Sequence, residues 1–152
     1  MKNIKNIVVA IDFNDVLDEL ISYAEGIGKK FNSKIWVIHV EAPDPDFVGF
    51  EAGPQYIRDF KASEMKEEHK KLQKISQTLT DRDLESEALL IQGSTVETVI
   101  AEAEKLKADL LIVGTHKHSF FHDLLSENVS LELLKNGRIP LLCIPVTAKE
   151  EK

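Results

Sequence analysis

The chain has 152 residues, 43% hydrophobic and 30% charged, a balance that suits one folded domain over 1–152 and excludes a disordered or fibrous protein. Its 26 acidic residues outnumber 19 basic ones for a net charge of −7, and no basic patch offsets them, so nucleic acid is not an expected partner. The lone Cys143 rules out an internal disulfide, and no apolar run approaches the roughly 20 residues of a membrane span. A soluble, cytoplasmic protein with no membrane partner is expected.

In chain order, Ile4 to Asp12 is the first buried-strand pattern, a run of Val and Ile with no signal core before it. Val16, Leu17, Leu20, Ile21, Ala24, Ile27 and Phe31 then recur at three-and-four spacing, the period of a helix with one buried face. Asn14 or Asp15 supplies the cap oxygen that the first turn needs. Lys34 to Glu41 predicts a second strand, with His39 as a satisfied core or crevice residue. Ala42 to Pro54 carries three prolines, two glycines and Phe47, Val48 and Phe50, a composition open to a lid, a partner contact or a plain loop.

A long, charged helix is predicted from about Gln55 to Leu79, with Tyr56, Phe60, Leu72, Ile75 and Leu79 on its apolar side. Lys66 to Lys74 include Glu67 and Glu68 and read as a solvated face, with His69 exposed. Glu85 to Gln92 predicts the third strand. Ser94-Thr95-Val96-Glu97 is a capping box that opens a helix to Lys107, with Val96, Val99, Ile100, Ala103 and Leu106 inward. Asp109 to Gly114 is the fourth strand. A fourth helix is predicted from about Ser119 to Asn136, stopped by Gly137 with Pro140 following. Ile139 to Val146 is the fifth strand, with Cys143 as a small buried apolar residue rather than a reactive thiol.

Regular strand–helix alternation with nearly continuous apolar strands predicts an α/β fold: an open, parallel, five-stranded sheet covered on both faces by helices, joined by right-handed crossovers. With the strands in the order 3-2-1-4-5, the order reverses between the first and fourth. Ligands of such sheets bind beyond the carboxyl ends of the strands at that reversal. Asp12 ends the first strand and Gly114-Thr115 the fourth. Asp12 is suited either to accept hydrogen bonds from a base or ribose or to cap the helix that follows. His116, His118 and His122 crowd the next turn with only Asp123 beside them, which favours an exposed polar turn over a metal-dependent sensor. No metal is expected.

Related enzymes are excluded by what stands at their reacting positions. A phospho-accepting receiver needs aspartate at the end of the third strand and lysine at the end of the fifth, where this chain has Gln92 and Pro145. A pyrophosphatase-type nucleotide enzyme needs a Ser-Gly-Gly turn where this chain has Phe13-Asn14-Asp15. There is no Gly-x-Ser-x-Gly elbow and no cysteine–histidine nucleophile pair.

From Ile4 to Val146 the chain resembles the universal stress protein family. The matching segments are Ile7-Val8-Val9-Ala10-Ile11-Asp12, Ile35-Trp36-Val37-Ile38-His39-Val40, Ile91-Gln92-Gly93-Ser94, Ala108-Asp109-Leu110-Leu111-Ile112-Val113-Gly114-Thr115 and Ile139-Pro140-Leu141-Leu142. The resemblance implies a three-layer, flavodoxin- or Rossmann-like fold and a homodimer paired through the C-terminal strand. It also implies an adenine-nucleotide site, for ATP or AMP, with Asp12, Val40 and Gly93 around the adenosine. ATP-binding members carry G-x-x-G-x9-G-S/T after the fourth strand. Here the first glycine is Gly114, followed by Thr115, but the second position is Lys117, the third is Glu127 and the hydroxyl position is Asn128.

Glycines in such a turn let backbone amides reach phosphate oxygens. Lys117 keeps a positive point charge, whereas Glu127 brings a carboxylate to the place where a triphosphate needs donors. The expectation is therefore a non-catalytic stress-response dimer with an eroded ATP motif, acting through an unidentified protein partner or a small ligand and needing no cofactor. The alternative is an adenine-nucleotide switch with at most slow hydrolysis.

Overall fold

The computed structural model describes residues 3–11, 17–41, 55–93, 95–114 and 137–145. The elements are β1 (Asn6–Ala10), α1 (Leu17–Phe31), β2 (Lys34–Glu41), α2 (Gln55–Asp81), β3 (Glu85–Gln92), α3 (Thr95–Lys105), β4 (Leu110–Gly114) and β5 (Leu141–Ile144). The five strands form one sheet in the order β3-β2-β1-β4-β5, parallel at every pairing, as expected from the sequence. The predicted helix over 119–136, the 42–54 connection and the capping residues Asn14, Asp15 and Ser94 lie outside the described residues.

β1 is the centre of the molecule, and its Ile7, Val8, Val9 and Ala10 are all buried. Alternate side chains of a strand point to opposite faces, which is why both faces of β1 must be apolar. Ile7, Val9 and Ile11 pack with Ile35, Val37 and Ile112 beneath Leu20 and Ala24 of α1 and Leu72 and Leu79 of α2. Val8 and Ala10 pack with Ile38, Val40, Leu111 and Val113 beneath Val99 and Ala103 of α3. Each fully buried aliphatic side chain contributes about 1.5–3 kcal/mol of transfer free energy, so these two clusters hold the three layers together.

β2 and β3 span the residues expected, whereas β1, β4 and β5 are shorter than their apolar runs, and backbone partners explain where β4 and β5 begin. Asp109 leaves the strand pattern because its Oδ2 accepts from the backbone N–H of Lys5 at 2.8 Å and of Asn6 at 3.0 Å. Pro140 has no N–H to give a ladder, and only its carbonyl joins the sheet, accepting from Leu111 at 2.9 Å.

All three described helices end in the left-handed region at a residue other than glycine: Asn32 at φ 55°, Asp83 at φ 66° and Lys107 at φ 55°. The N–H of Ser33, Leu84 and Ala108 returns to the carbonyl of Gly28, Leu79 and Ala103 respectively, the outer bond of a Schellman stop. Leu84 and Ala108 then tuck into the core, which offsets the strain of the left-handed residue.

Glu25 joins α1 to the end of α2. It accepts from Lys29 Nζ at 2.9 Å and from Arg82 at 2.7 Å. The bond from Lys29 is the largest cause that lowers its pKa; desolvation opposes it, and Arg82 adds a further lowering. A carboxylate with a folded pKa below its unfolded value stabilises above the unfolded value and loses that contribution as pH falls through the folded one. Glu25→Gln is expected to cost about 0.5 kcal/mol at neutral pH, as for other solvent-screened pairs. The difference should vanish on acidification below the ordinary carboxylate range. Urea unfolding of both proteins across that range checks it, and a deficit that persists in acid would contradict the ion-pair account.

Candidate functional site

The strand order reverses between β1 and β4, so the carboxyl ends of these strands, flanked by that of β2, form the edge where a crevice is expected. Three of the residues singled out in the sequence come to this edge within described structure. Gly114 closes β4, buried and in register with Ile144. Val40 lies near the end of β2 beside Ile91, and Gly93 follows β3. Asp12, Thr115, Lys117, Glu127 and Asn128, like His116, His118 and His122, lie outside the described residues.

Val40 is 2% exposed, with its side chain in the cluster of Ala10, Val99 and Val113. It therefore builds the floor of the edge.

Gly93 donates its N–H to the carbonyl of Glu41 at 3.1 Å, continuing the β2–β3 pairing by one step. It also lies against α3. A Cβ built on Gly93 collides with Thr98 Oγ1 and comes within 3.2 Å of Thr98 Cβ and Cγ2. The absence of a side chain thus leaves room for Thr98 in the first turn of α3, a role its place in the motif did not reveal. Gly93→Ala is expected to destabilise by about 1–3 kcal/mol, the scale of overpacking at a tight site. Adding Thr98→Ala should recover most of that loss in a double-mutant cycle read by denaturant unfolding. Additive losses would show that Thr98 is not the obstacle.

Ile11 sits just past the last residue of β1, yet β2 holds both of its polar backbone atoms. Its N–H donates to the Ile38 carbonyl at 2.9 Å, and its carbonyl is 2.8 Å from His39 Nδ1. His39 is buried, and its Nε2 stands 4.0 Å from Glu68 Oε2 on α2. The sequence indicated a satisfied core or crevice histidine, and this is one. It gave no sign that the ring's partner would be the backbone at the edge of the crevice.

Cys143 departs from expectation. It is half-buried rather than buried, because it lies on β5 at the border of the sheet. It packs against the α3-side cluster, and desolvation raises its pKa, which favours the protonated thiol. Among the described residues, no group of three His, Cys, Asp or Glu is arranged to hold a metal ion, and no helix is long and apolar enough to cross a membrane.

Comparison with known proteins gives this edge a context. The sequence matches the universal stress protein family over residues 3–145. Universal stress protein MJ0531 of Methanocaldococcus jannaschii is 28% identical over 148 residues, which span 96% of this chain and 85% of that protein. The fold is similar to that of protein MJ0577, with a TM-score of 0.75 at 18% identity over 97% of this chain and 99% of that one. It is also similar to an Arabidopsis thaliana universal stress protein family member solved with AMP bound, with a TM-score of 0.63 at 17% identity over 97% and 95% of the two chains. Other solved universal stress proteins hold cAMP and, in one from Archaeoglobus fulgidus, dAMP. A match that spans nearly the whole described sheet and its flanking helices shows that this chain belongs to the universal stress protein family.

Proposed function

We propose that the chain is a non-catalytic, cytoplasmic stress-response protein that binds a small adenosine ligand with at most one phosphate and passes that state to a protein partner. The observation that carries this reading is the reversal of strand order between β1 and β4, with Ile11 just past the end of β1 and Gly114 at the end of β4 along one edge. Asp12 follows Ile11 directly and is the proposed acceptor for base or ribose. Val40 supplies the floor beneath it and Gly93 the backbone beside it, and Gly114, Thr115 and Lys117 meet the first phosphate.

The single-phosphate limit comes from chemistry. Glu127 and Asn128 stand where an ATP-binding turn needs glycine and a hydroxyl, and an added carboxylate repels each further phosphate. Three of the similar solved structures hold AMP, cAMP or dAMP, each with one phosphate. The protein is proposed to act as a homodimer paired through β5, since an apolar strand at a sheet border is otherwise open to uncontrolled pairing.

Titration calorimetry with AMP and ATP tests the ligand. AMP is expected to bind at least about tenfold more tightly than ATP, a difference of about 1.4 kcal/mol. Tighter binding of ATP would overturn the reading in favour of an ATP-dependent switch. A sedimentation mass of one chain at micromolar concentration would remove the dimer.

A further inference from the structure

We infer that His39 is a positioning residue of the ligand mouth: its ring orients the peptide unit that leads from β1 into Asp12. The inference rests on the proposed role of Asp12 as an adenosine contact.

The geometry is specific. A carbonyl oxygen has no proton to give, so at 2.8 Å from the Ile11 carbonyl the hydrogen belongs on His39 Nδ1. His39 is 8% exposed, and its ring lies between the end of β1 and α2, with Nε2 4.0 Å from Glu68 Oε2. A peptide group is planar, so fixing the Ile11 carbonyl also fixes the direction in which the chain leaves Ile11. The bond from the Ile11 N–H to Ile38 fixes the other side of the residue. Ile11 is thereby anchored at both polar atoms one step beyond the end of β1, directly before the proposed ligand acceptor. Contacts to a ligand are productive only within roughly 0.5 Å and 10–20°, so a freed exit from β1 weakens binding even with Asp12 intact.

Three substitutions separate this role from simple filling of space. In His39→Asn the side-chain amide takes the place of Nδ1 and keeps a donor there. In His39→Gln the amide lies nearer the place of Nε2. His39→Leu keeps apolar volume and no donor. Two quantities are read: AMP affinity by calorimetry, and exchange of the Ile11 amide hydrogen by NMR in ligand-free protein.

His39→Leu and His39→Gln are expected to weaken AMP binding about tenfold, the equivalent of one net hydrogen bond, and to speed exchange at Ile11. His39→Asn is expected to stay within about threefold of the parent in affinity and to keep the protection. Wild-type behaviour of the leucine and glutamine variants, or an asparagine variant as impaired as they are, overturns the inference. If the parent does not bind AMP, the adenosine reading fails separately. The exchange comparison still decides the role of His39, and unchanged protection in the leucine and glutamine variants refutes it.

Discussion

Replacing Asp109 with alanine is expected to lower the unfolding free energy by about 2–3 kcal/mol, since hydrogen bonds to a charged group contribute about 1.5–3 kcal/mol each and one of the two is solvent-exposed. The side chain stands at the start of β4 and accepts from two successive backbone N–H groups, those of Lys5 and Asn6, at the start of β1. Its own N–H donates to the Asn6 carbonyl at 2.8 Å. Asp109 therefore sets the register of the two strands between which the sheet order reverses. Alanine leaves the Asn6 donor partly buried without its carboxylate, which costs more than losing an exposed pair. Asn keeps one acceptor oxygen and should recover about half of the loss. Urea unfolding of the three proteins is the measurement. A loss under about 0.5 kcal/mol for the alanine variant would mean that the pairing of β1 with β4 does not depend on this clamp.

The sheet was legible because its signal is redundant. Runs such as Ile7-Val8-Val9-Ala10 and Leu110-Leu111-Ile112-Val113 are apolar on both faces, which only a strand with helices above and below requires. The bounds of β2 and β3 were read correctly, but those of β1, β4 and β5 were overextended because hydrophobicity does not report where a ladder stops. Asp109 and Pro140 end it through a carboxylate turned onto β1 and a missing N–H. Helix ends were less visible. Gly137 suggested a left-handed stop, whereas Asn32, Asp83 and Lys107 adopt one without glycine, followed by buried Ser33, buried Leu84 and partly buried Ala108 respectively.

At the site, the sequence picked out Val40, Gly93 and Gly114, which the fold brings to one edge. It did not distinguish a glycine needed by a ligand from one needed by a neighbouring helix, and Gly93 answers to Thr98. The bond from His39 to the Ile11 carbonyl spans 28 residues of sequence and has no local pattern to announce it.

The double substitution Glu127→Gly with Asn128→Ser is expected to raise ATP affinity by up to about a hundredfold. Two unit charges about 5 Å apart at an effective dielectric near 20 interact by about 3 kcal/mol, so removing one carboxylate from beside a triphosphate relieves a penalty of that order. Glycine adds access of the backbone amide to a phosphate oxygen, and serine adds a hydroxyl donor. AMP affinity should change by less than about threefold, because its single phosphate is proposed to meet Gly114, Thr115 and Lys117 instead.

Glu127→Gln separates the two contributions, since it removes the charge while keeping the side chain. It should recover the electrostatic part and none of the backbone part. The electrostatic part carries its own signature: raising ionic strength should narrow the gap between the parent and the Gln variant, because salt screens exposed charges. Calorimetric titration of ATP and AMP into the three proteins at two salt concentrations gives every one of these comparisons. An unchanged ATP affinity in the double variant would show that something other than the residues at 127 and 128 limits the phosphate end. Equal gains for ATP and AMP would show that these residues face the first phosphate, which would move the proposed boundary of the ligand inward along the turn.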